Sequence, residues 1–178
     1  MSEPPMRSLG DHVAPSPPPA ELDAIDVTLL RELSKDARAP QRSLANVLGM
    51  SSPAVADRMA RLKARGVIRG YKVDIDWAAL GFSTVAIISV TAAAGHDQSV
   101  IVERLQAIAG VENIMIVTGG SDMLVRVRAR GFDDLRSILA REIWTIEGVQ
   151  RTESFISIIG IDPEDAESRL IDRILEGH

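Results

Sequence analysis

The chain has 178 residues, 46% apolar but only 3% aromatic, enough for one domain or two small ones with aliphatic cores. It has no cysteine, which excludes disulfides and thiolate metal sites, and His12, His96 and His178 lie too far apart in sequence to suggest a metal site. The net charge of -5 is unevenly spread: residues 21–72 carry ten Lys/Arg against six Asp/Glu, whereas residues 73–178 carry nine against seventeen. A basic first module beside an acidic second one fits a local nucleic-acid footprint.

Residues 1–21 are expected to be a disordered Pro-rich tail. They hold Pro4, Pro5, Pro15, Pro17, Pro18 and Pro19 and no apolar core of the signal-peptide kind. No apolar run reaches the roughly 20 residues that a membrane span needs. No membrane partner is expected, and the absence of cysteine fits a cytoplasmic location.

Residues 22–72 read as a helix-turn-helix domain. Asp23 caps a first helix with Asp26 three residues on, and Ile25, Leu29, Leu30 and Leu33 form its apolar stripe. Pro40 blocks continuation. A short helix spans Ser43 to Leu48 and stops at Gly49. Ser51 caps the next helix, with Pro53 in its first turn, running to about Arg65 before Gly66. Val55, Met59 and Leu62 face inward at steps of four and three. The other face is basic, as a helix entering a major groove requires. Ser52, Pro53, Ala56 and Asp57 lie early enough to approach bases, and Ser51 is counted with them among the DNA-binding residues. Arg58 and Arg61 suit phosphates or bases, and Arg58 alternatively suits an ion pair inside the domain. After Gly66 the pattern is extended, either a small wing or a connector, with Arg69 and Lys72 within reach of phosphates. Tyr71 reads as a packed linker residue.

Residues 73–82 form a linker with a short turn at Trp77 to Gly81. Residues 83–161 then alternate strand and helix patterns. Strands are expected at Thr84–Thr91, Val111–Thr118, Met123–Ala129 and Thr152–Ile161, and helices at Gln98–Ile108 and Phe132–Ile146. Gly119-Gly120-Ser121-Asp122 is a tight turn. The order βαββαβ is the ferredoxin-like arrangement, a four-stranded antiparallel sheet with helices on one face. Strands apolar in both directions imply that a second copy covers the other face, making a homodimer the minimum assembly. Residues 162–178 suggest a tail helix through Ala166, Leu170, Ile174 and Leu175.

These stretches resemble the leucine-responsive regulator/asparagine regulator (Lrp/AsnC, feast/famine) family. The resemblance is carried by LDAIDVTLLRELSKDAR (22–38), SLANVLGMSSPAVADRMARLKARGVIRGYKVDID (43–76), TGGSD (118–122) and EGVQRTES (147–154). It implies an α+β protein: an N-terminal winged helix-turn-helix domain that binds double-stranded DNA and a C-terminal ferredoxin-like domain. That second domain would bind a small effector, usually an amino acid, and assemble homodimers into tetramers or octamers. The recognition helix falls on Ser51 to Ala64. The effector turn falls on Gly119, Gly120, Ser121 and Asp122, with Thr152 and Ser154 of the last strand near it. Gly120 and Ser121 replace the family's acidic and aromatic positions, so the usual ligand preference does not transfer. Asp122 alternatively only caps the turn, and the glycines serve backbone shape.

The expected function is a sequence-specific, effector-responsive DNA-binding transcription regulator. An effector-independent architectural DNA-binding protein is the alternative. No catalytic constellation is visible, no cofactor is implied, and a ferredoxin-like sheet alone licenses no reaction.

Overall fold

The computed structural model describes residues 18–163 and 165–176. Most of the expected Pro-rich tail, residues 1–17, lies outside them. The chain folds as two compact units, residues 18–74 with 161–176, and residues 75–160.

The first unit begins with α1 (Ala24–Lys35). Asp23 is its N-cap, and Asp23 Oδ1 accepts from the Asp26 N–H at 2.7 Å. The next helix, α2 (Gln41–Leu48), starts two residues before the expected Ser43. Pro40 takes the cap position, and its carbonyl accepts from the Ser43 and Leu44 N–H groups. α2 ends at Gly49, whose φ of +63° is the left-handed conformation that a side chain resists. α3 (Ser52–Ala64) follows at once, and Ser51 Oγ accepts from the Ala54 N–H at 3.3 Å. Leu29 and Leu33 of α1, Leu44 and Ala45 of α2, and Val55 and Leu62 of α3 form one core, with Met50 and Met59 packed against it. Beyond Gly66, residues 69–76 run exposed and join no strand ladder within the described residues. The tail helix, α6 in chain order (Ala166–Glu176), packs along α1.

The second unit holds β1 (Thr84–Ala92), α4 (Gln98–Gln106), β2 (Val111–Ile116), β3 (Met123–Ala129), α5 (Phe132–Ile138) and β4 (Val149–Ile156). The strands pair antiparallel in the order β2-β3-β1-β4. Ala86, Ile88 and Val90 of β1 and Met123, Val125, Val127 and Ala129 of β3 bury one face completely. Ile101 and Leu105 of α4 and Leu135 and Ile138 of α5 cover that face.

β2 stops at Ile116, short of the expected Thr118, and α4 at Gln106, short of Ile108; two further elements differ from their expected bounds for non-local reasons. β4 begins at Val149 and stops at Ile156, not Ile161, because β1 has no further partner to offer. Ser157 N–H to Val85 O, at 2.8 Å, is the last bond of that ladder. Ile158, Ile159 and Ile161 are therefore exposed. The second helix is not a continuous α-helix from Phe132 to Ile146: after Ile138 it widens into a π-turn, Leu139–Ile143. Ile138 and Ile143 are both buried although five residues apart, a step about 140° off one face at 3.6 residues per turn. The Trp144 N–H bond to Leu139 O, five residues back, resolves that mismatch.

Opposite the helices, the sheet presents Ile87, Leu124, Met115 and Phe155, which no helix among the described residues covers. Their alternation with the buried positions follows from the paired register. Phe155 is 58% exposed and Met115 43%.

Candidate functional site

In the first unit the short α2 and the Gly49 turn deliver α3 with one side in the core and one in solvent. Val55 and Leu62 are fully buried. Ser51, Pro53, Asp57 and Arg61 are exposed, and Ser52 and Ala56 are half-buried. Exposed Ala60 lies on the Asp57–Arg61 face as well. A methyl-bearing position on a groove-facing helix suits contact with a thymine methyl. Its helical spacing from Asp57 and Ala64 carried that signal in the sequence. Arg61 is exposed and has no ion-pair partner among the described residues. Arg69 and Lys72 lie in the exposed chain after the helix. Tyr71 sits beneath Lys63, whose Nζ is 4.8 Å from the ring centroid. That contact pairs the ring with a cation, but Tyr71 is 43% exposed and so less packed than the expected linker residue.

Arg58 behaves differently from its neighbours. Its Nη1 donates to Asp23 Oδ2 at 2.7 Å and to Asp26 Oδ1 at 2.6 Å. The side chains of Arg58 and Asp26 are 14% and 10% exposed. These bonds raise the Arg58 pKa further above its ordinary value, Asp23 contributing most. The Asp23 carboxyl is held below the usual carboxylate range, first by the Asp26 N–H and then by Arg58. Of the two alternatives open for Arg58, the structure shows the internal ion pair, to Asp23 and Asp26.

In the second unit Gly119 takes φ +130° and opens the turn after β2. Gly120 beside it has open space where a side chain would sit. Asp122 is engaged at both oxygens: Oδ2 accepts from the Ala92 N–H at 2.8 Å and Oδ1 from Gln98 Nε2 at 3.1 Å. It ties the turn to the irregular end of β1 and the start of α4. Ser121 Oγ lies 2.5 Å from Ser89 Oγ. Ser89 points to the sheet face away from the helices, because its neighbours Ile88 and Val90 are in the helix-facing core.

Thr152 and Ser154 lie across β1, opposite Val90 and Ile88. Directly paired residues share a face. Both side chains therefore project to the helix side, and Thr152 Oγ1 accepts from Trp144 Nε1 at 2.9 Å. The sheet separates Ser121 from Thr152 and Ser154, so one chain does not gather these residues into one pocket. Gln98 and Trp144 were not foreseen as neighbours of the turn and of Thr152. Only the strand register and the π-turn bring them there. A cleft of about 460 Å³ opens elsewhere in the unit, lined by Trp77, Phe82, Gly110, Arg128, Ile138 and Glu142 among others, and none of the expected effector residues borders it.

A helix-turn-helix unit with an exposed polar reading face, joined in one chain to a βαββαβ unit, defines a two-part DNA-binding regulator. Residues 22–63 match the AsnC-type helix-turn-helix domain and residues 85–165 the Lrp/AsnC ligand binding domain. The chain is 30% identical over 137 residues to the regulatory protein AsnC of Haemophilus influenzae, covering 77% of this chain and 91% of that protein. It is 34% identical over 151 residues to the transcriptional regulator AldR of Mycobacterium tuberculosis, covering 82% and 84%. The solved structure of E. coli AsnC superposes with a TM-score of 0.77 at 25% identity, covering 82% of this chain and 97% of that one. The chain belongs to the Lrp/AsnC family: it is a transcription regulator with a DNA-binding helix-turn-helix and a ligand-binding domain, and not an enzyme. No helix among the described residues is long and apolar enough to cross a membrane.

Proposed function

We propose that this regulator binds specific double-stranded DNA sequences and changes its binding in response to an amino acid or a related small metabolite. The observation that carries the DNA half is the exposed face of α3, with Arg61, unpaired among the described residues, beside Asp57 and Ala60. Ser52, Pro53, Ala56 and Asp57 meet base edges, while Ser51, Arg61, Arg69 and Lys72 serve phosphates or bases. Arg58 acts at one remove, by fixing α3 against α1.

The effector half rests on the ligand-binding domain and the turn Gly119 to Asp122. Ser121 lies across the sheet from Thr152 and Ser154, so a site using all of them has to be completed by another copy. The uncovered sheet face, with Ile87, Leu124, Met115 and Phe155, gives a homodimer its contact surface, and dimers build on to a tetramer or octamer. A regulator of this kind would work in the cytoplasm, where both DNA and free amino acids are met.

One observation favours a second function, an architectural DNA-binding protein without an effector. Asp122, the acidic group kept in the turn, is already occupied by Ala92 and Gln98.

The test is fluorescence anisotropy on the DNA just upstream of the protein's own gene, at fixed salt, with and without the twenty amino acids. Salt is held constant because phosphate contacts make affinity steeply salt-dependent. Preference over scrambled DNA that shifts with the mixture is the expected result. Preference without a shift favours the architectural function. No preference there or on genomic fragments overturns both.

A further inference from the structure

Val27 is 2% exposed, yet it is not part of the core that α1 shares with α2 and α3. On a helix it shares a stripe with Arg31 and Ser34, at steps of four and three. α6 covers that stripe. Arg31 Nη2 lies 2.6 Å from Asp172 Oδ1, and Ser34 Oγ lies 3.1 Å from Ser168 Oγ. On α6, Ser168, Ile171 and Asp172 are partly buried and again spaced by three and four, whereas Leu170 is 63% exposed. α1 is therefore held on two sides. Leu29 and Leu33 enter the helix-turn-helix core, and Val27 takes the C-terminal helix.

We infer that α6 is a working part of the DNA-binding module, a clamp on α1 that positions the reading helix. The inference rests on the DNA-binding function proposed above. α1 is tied onward to α3 through Asp26 and Arg58, so α6, α1 and α3 form one continuous stack of contacts. At its other end α6 follows β4 through residues 157–165. The helix-turn-helix is thus attached to the rest of the chain by two covalent segments, 65–83 and 157–165. A module with two attachments has fewer orientations open to it than one on a single extended connector. Restricted reading helices tolerate fewer spacings between DNA half-sites. Val27, Arg31 and Asp172 are then positioning residues that set spacing selectivity without touching DNA. The clamp is polar at its edges, and a half-exposed ion pair such as Arg31–Asp172 contributes little by itself. Val27 burial is what holds it, and it is open to loosening by single substitutions.

The chain has no cysteine, so Ser34→Cys with Ser168→Cys reports docking directly. Mild oxidation is expected to give a disulfide within one chain, read on a non-reducing gel and by mass spectrometry. No bond, or bonds only between chains, overturns the clamp. Function is read with a duplex that the wild type selects from a random pool, and with versions whose half-sites are moved apart by about half a helical turn. The wild type and the oxidised double-cysteine protein are expected to discriminate between spacings by about tenfold. A chain ending at Gly160 and the full chain with Asp172→Arg are expected to bind all spacings within about threefold, and adding Arg31→Asp to the latter to restore discrimination. The Asp172 side chain is 36% exposed and outside the helix-turn-helix core, so its reversal keeps the fold if truncation does not. Wild-type discrimination in both loosened proteins overturns the positioning role. If the wild type selects no duplex, the DNA-binding function falls, while the disulfide still decides whether α6 clamps α1.

Discussion

Arg58 donates from Nη1 to Asp26 Oδ1 at 2.6 Å, fixing the reading helix to the first helix of its own domain. Both groups are mostly buried, so neither finds full hydration if the other is removed. Arg58→Ala leaves the Asp26 carboxylate with no charged partner, at a cost of about 2 kcal/mol. Urea unfolding followed by circular dichroism is expected to show an early transition for this variant. DNA affinity should fall only as far as the folded fraction does. A large affinity loss in fully folded Arg58→Ala protein would return Arg58 to the DNA-contact set.

Asp23 gives a pH dependence of known sign. Its folded pKa is depressed, so its unfolded form takes up protons first as pH falls. Its contribution is complete above the unfolded value of about 3.9 and disappears as pH drops through the lower folded value. Asp23→Asn keeps a good cap but removes the charge. Thermal melts between pH 7 and 3 are expected to show a shallower acid loss for Asp23→Asn than for wild type. Parallel curves would show that Asp23 plays no part in acid stability.

Arg61 is the clearest candidate for a direct DNA contact. It is exposed, on the solvent side of α3, and unpaired among the described residues. Arg61→Ala should leave melting unchanged and weaken DNA binding by about tenfold. If the contact is to a phosphate, the slope of log affinity against log salt becomes shallower by about one. Anisotropy titrations at three salt concentrations separate a phosphate contact from a base contact. Unchanged affinity would remove Arg61 from the interface.

Local chemistry made the helix-turn-helix legible. Asp23, Ser51 and Gly49 act on atoms within four residues of themselves, so their caps can be read off the chain. The strand pattern gave the βαββαβ order for the same reason. What the sequence did not show depends on partners far away. β4 ends where β1 runs out, the π-turn exists to bury both Ile138 and Ile143, and Val27 is covered by a helix that begins 139 residues later at Ala166. The division of the effector candidates is of this kind too. Ser121 and Thr152 are assigned to opposite faces only once Thr152 is in register with β1 and Ser121 meets Ser89.

Asp122 links three elements through two hydrogen bonds, and its removal separates structure from ligand binding. Asp122→Ala strands the Ala92 N–H and frees Gln98, costing about 2 kcal/mol at a half-buried site. Asp122→Asn keeps one acceptor and is expected to cost less. If Asp122 is only a turn cap, an amino acid that raises the wild-type melting temperature raises that of Asp122→Asn equally. If it also touches the effector, the shift disappears in Asp122→Asn while the apo protein still melts cooperatively.

Phe155 is the most exposed large apolar side chain on the sheet face away from the helices and pairs directly with Ile87. A Phe buries roughly 150–250 Å² when a partner covers it. Phe155→Glu puts a charge where two apolar faces would meet, and an unpaired buried charge is too costly to keep. Because Phe155 is exposed in the single chain, the substitution leaves that chain's own core intact. Light scattering after size exclusion is therefore expected to move the protein from an assembly to a monomer with unchanged circular dichroism. DNA affinity for a two-half-site duplex should then fall toward that of a single reading helix. An assembly of unaltered mass in Phe155→Glu would show that this face is not where copies meet.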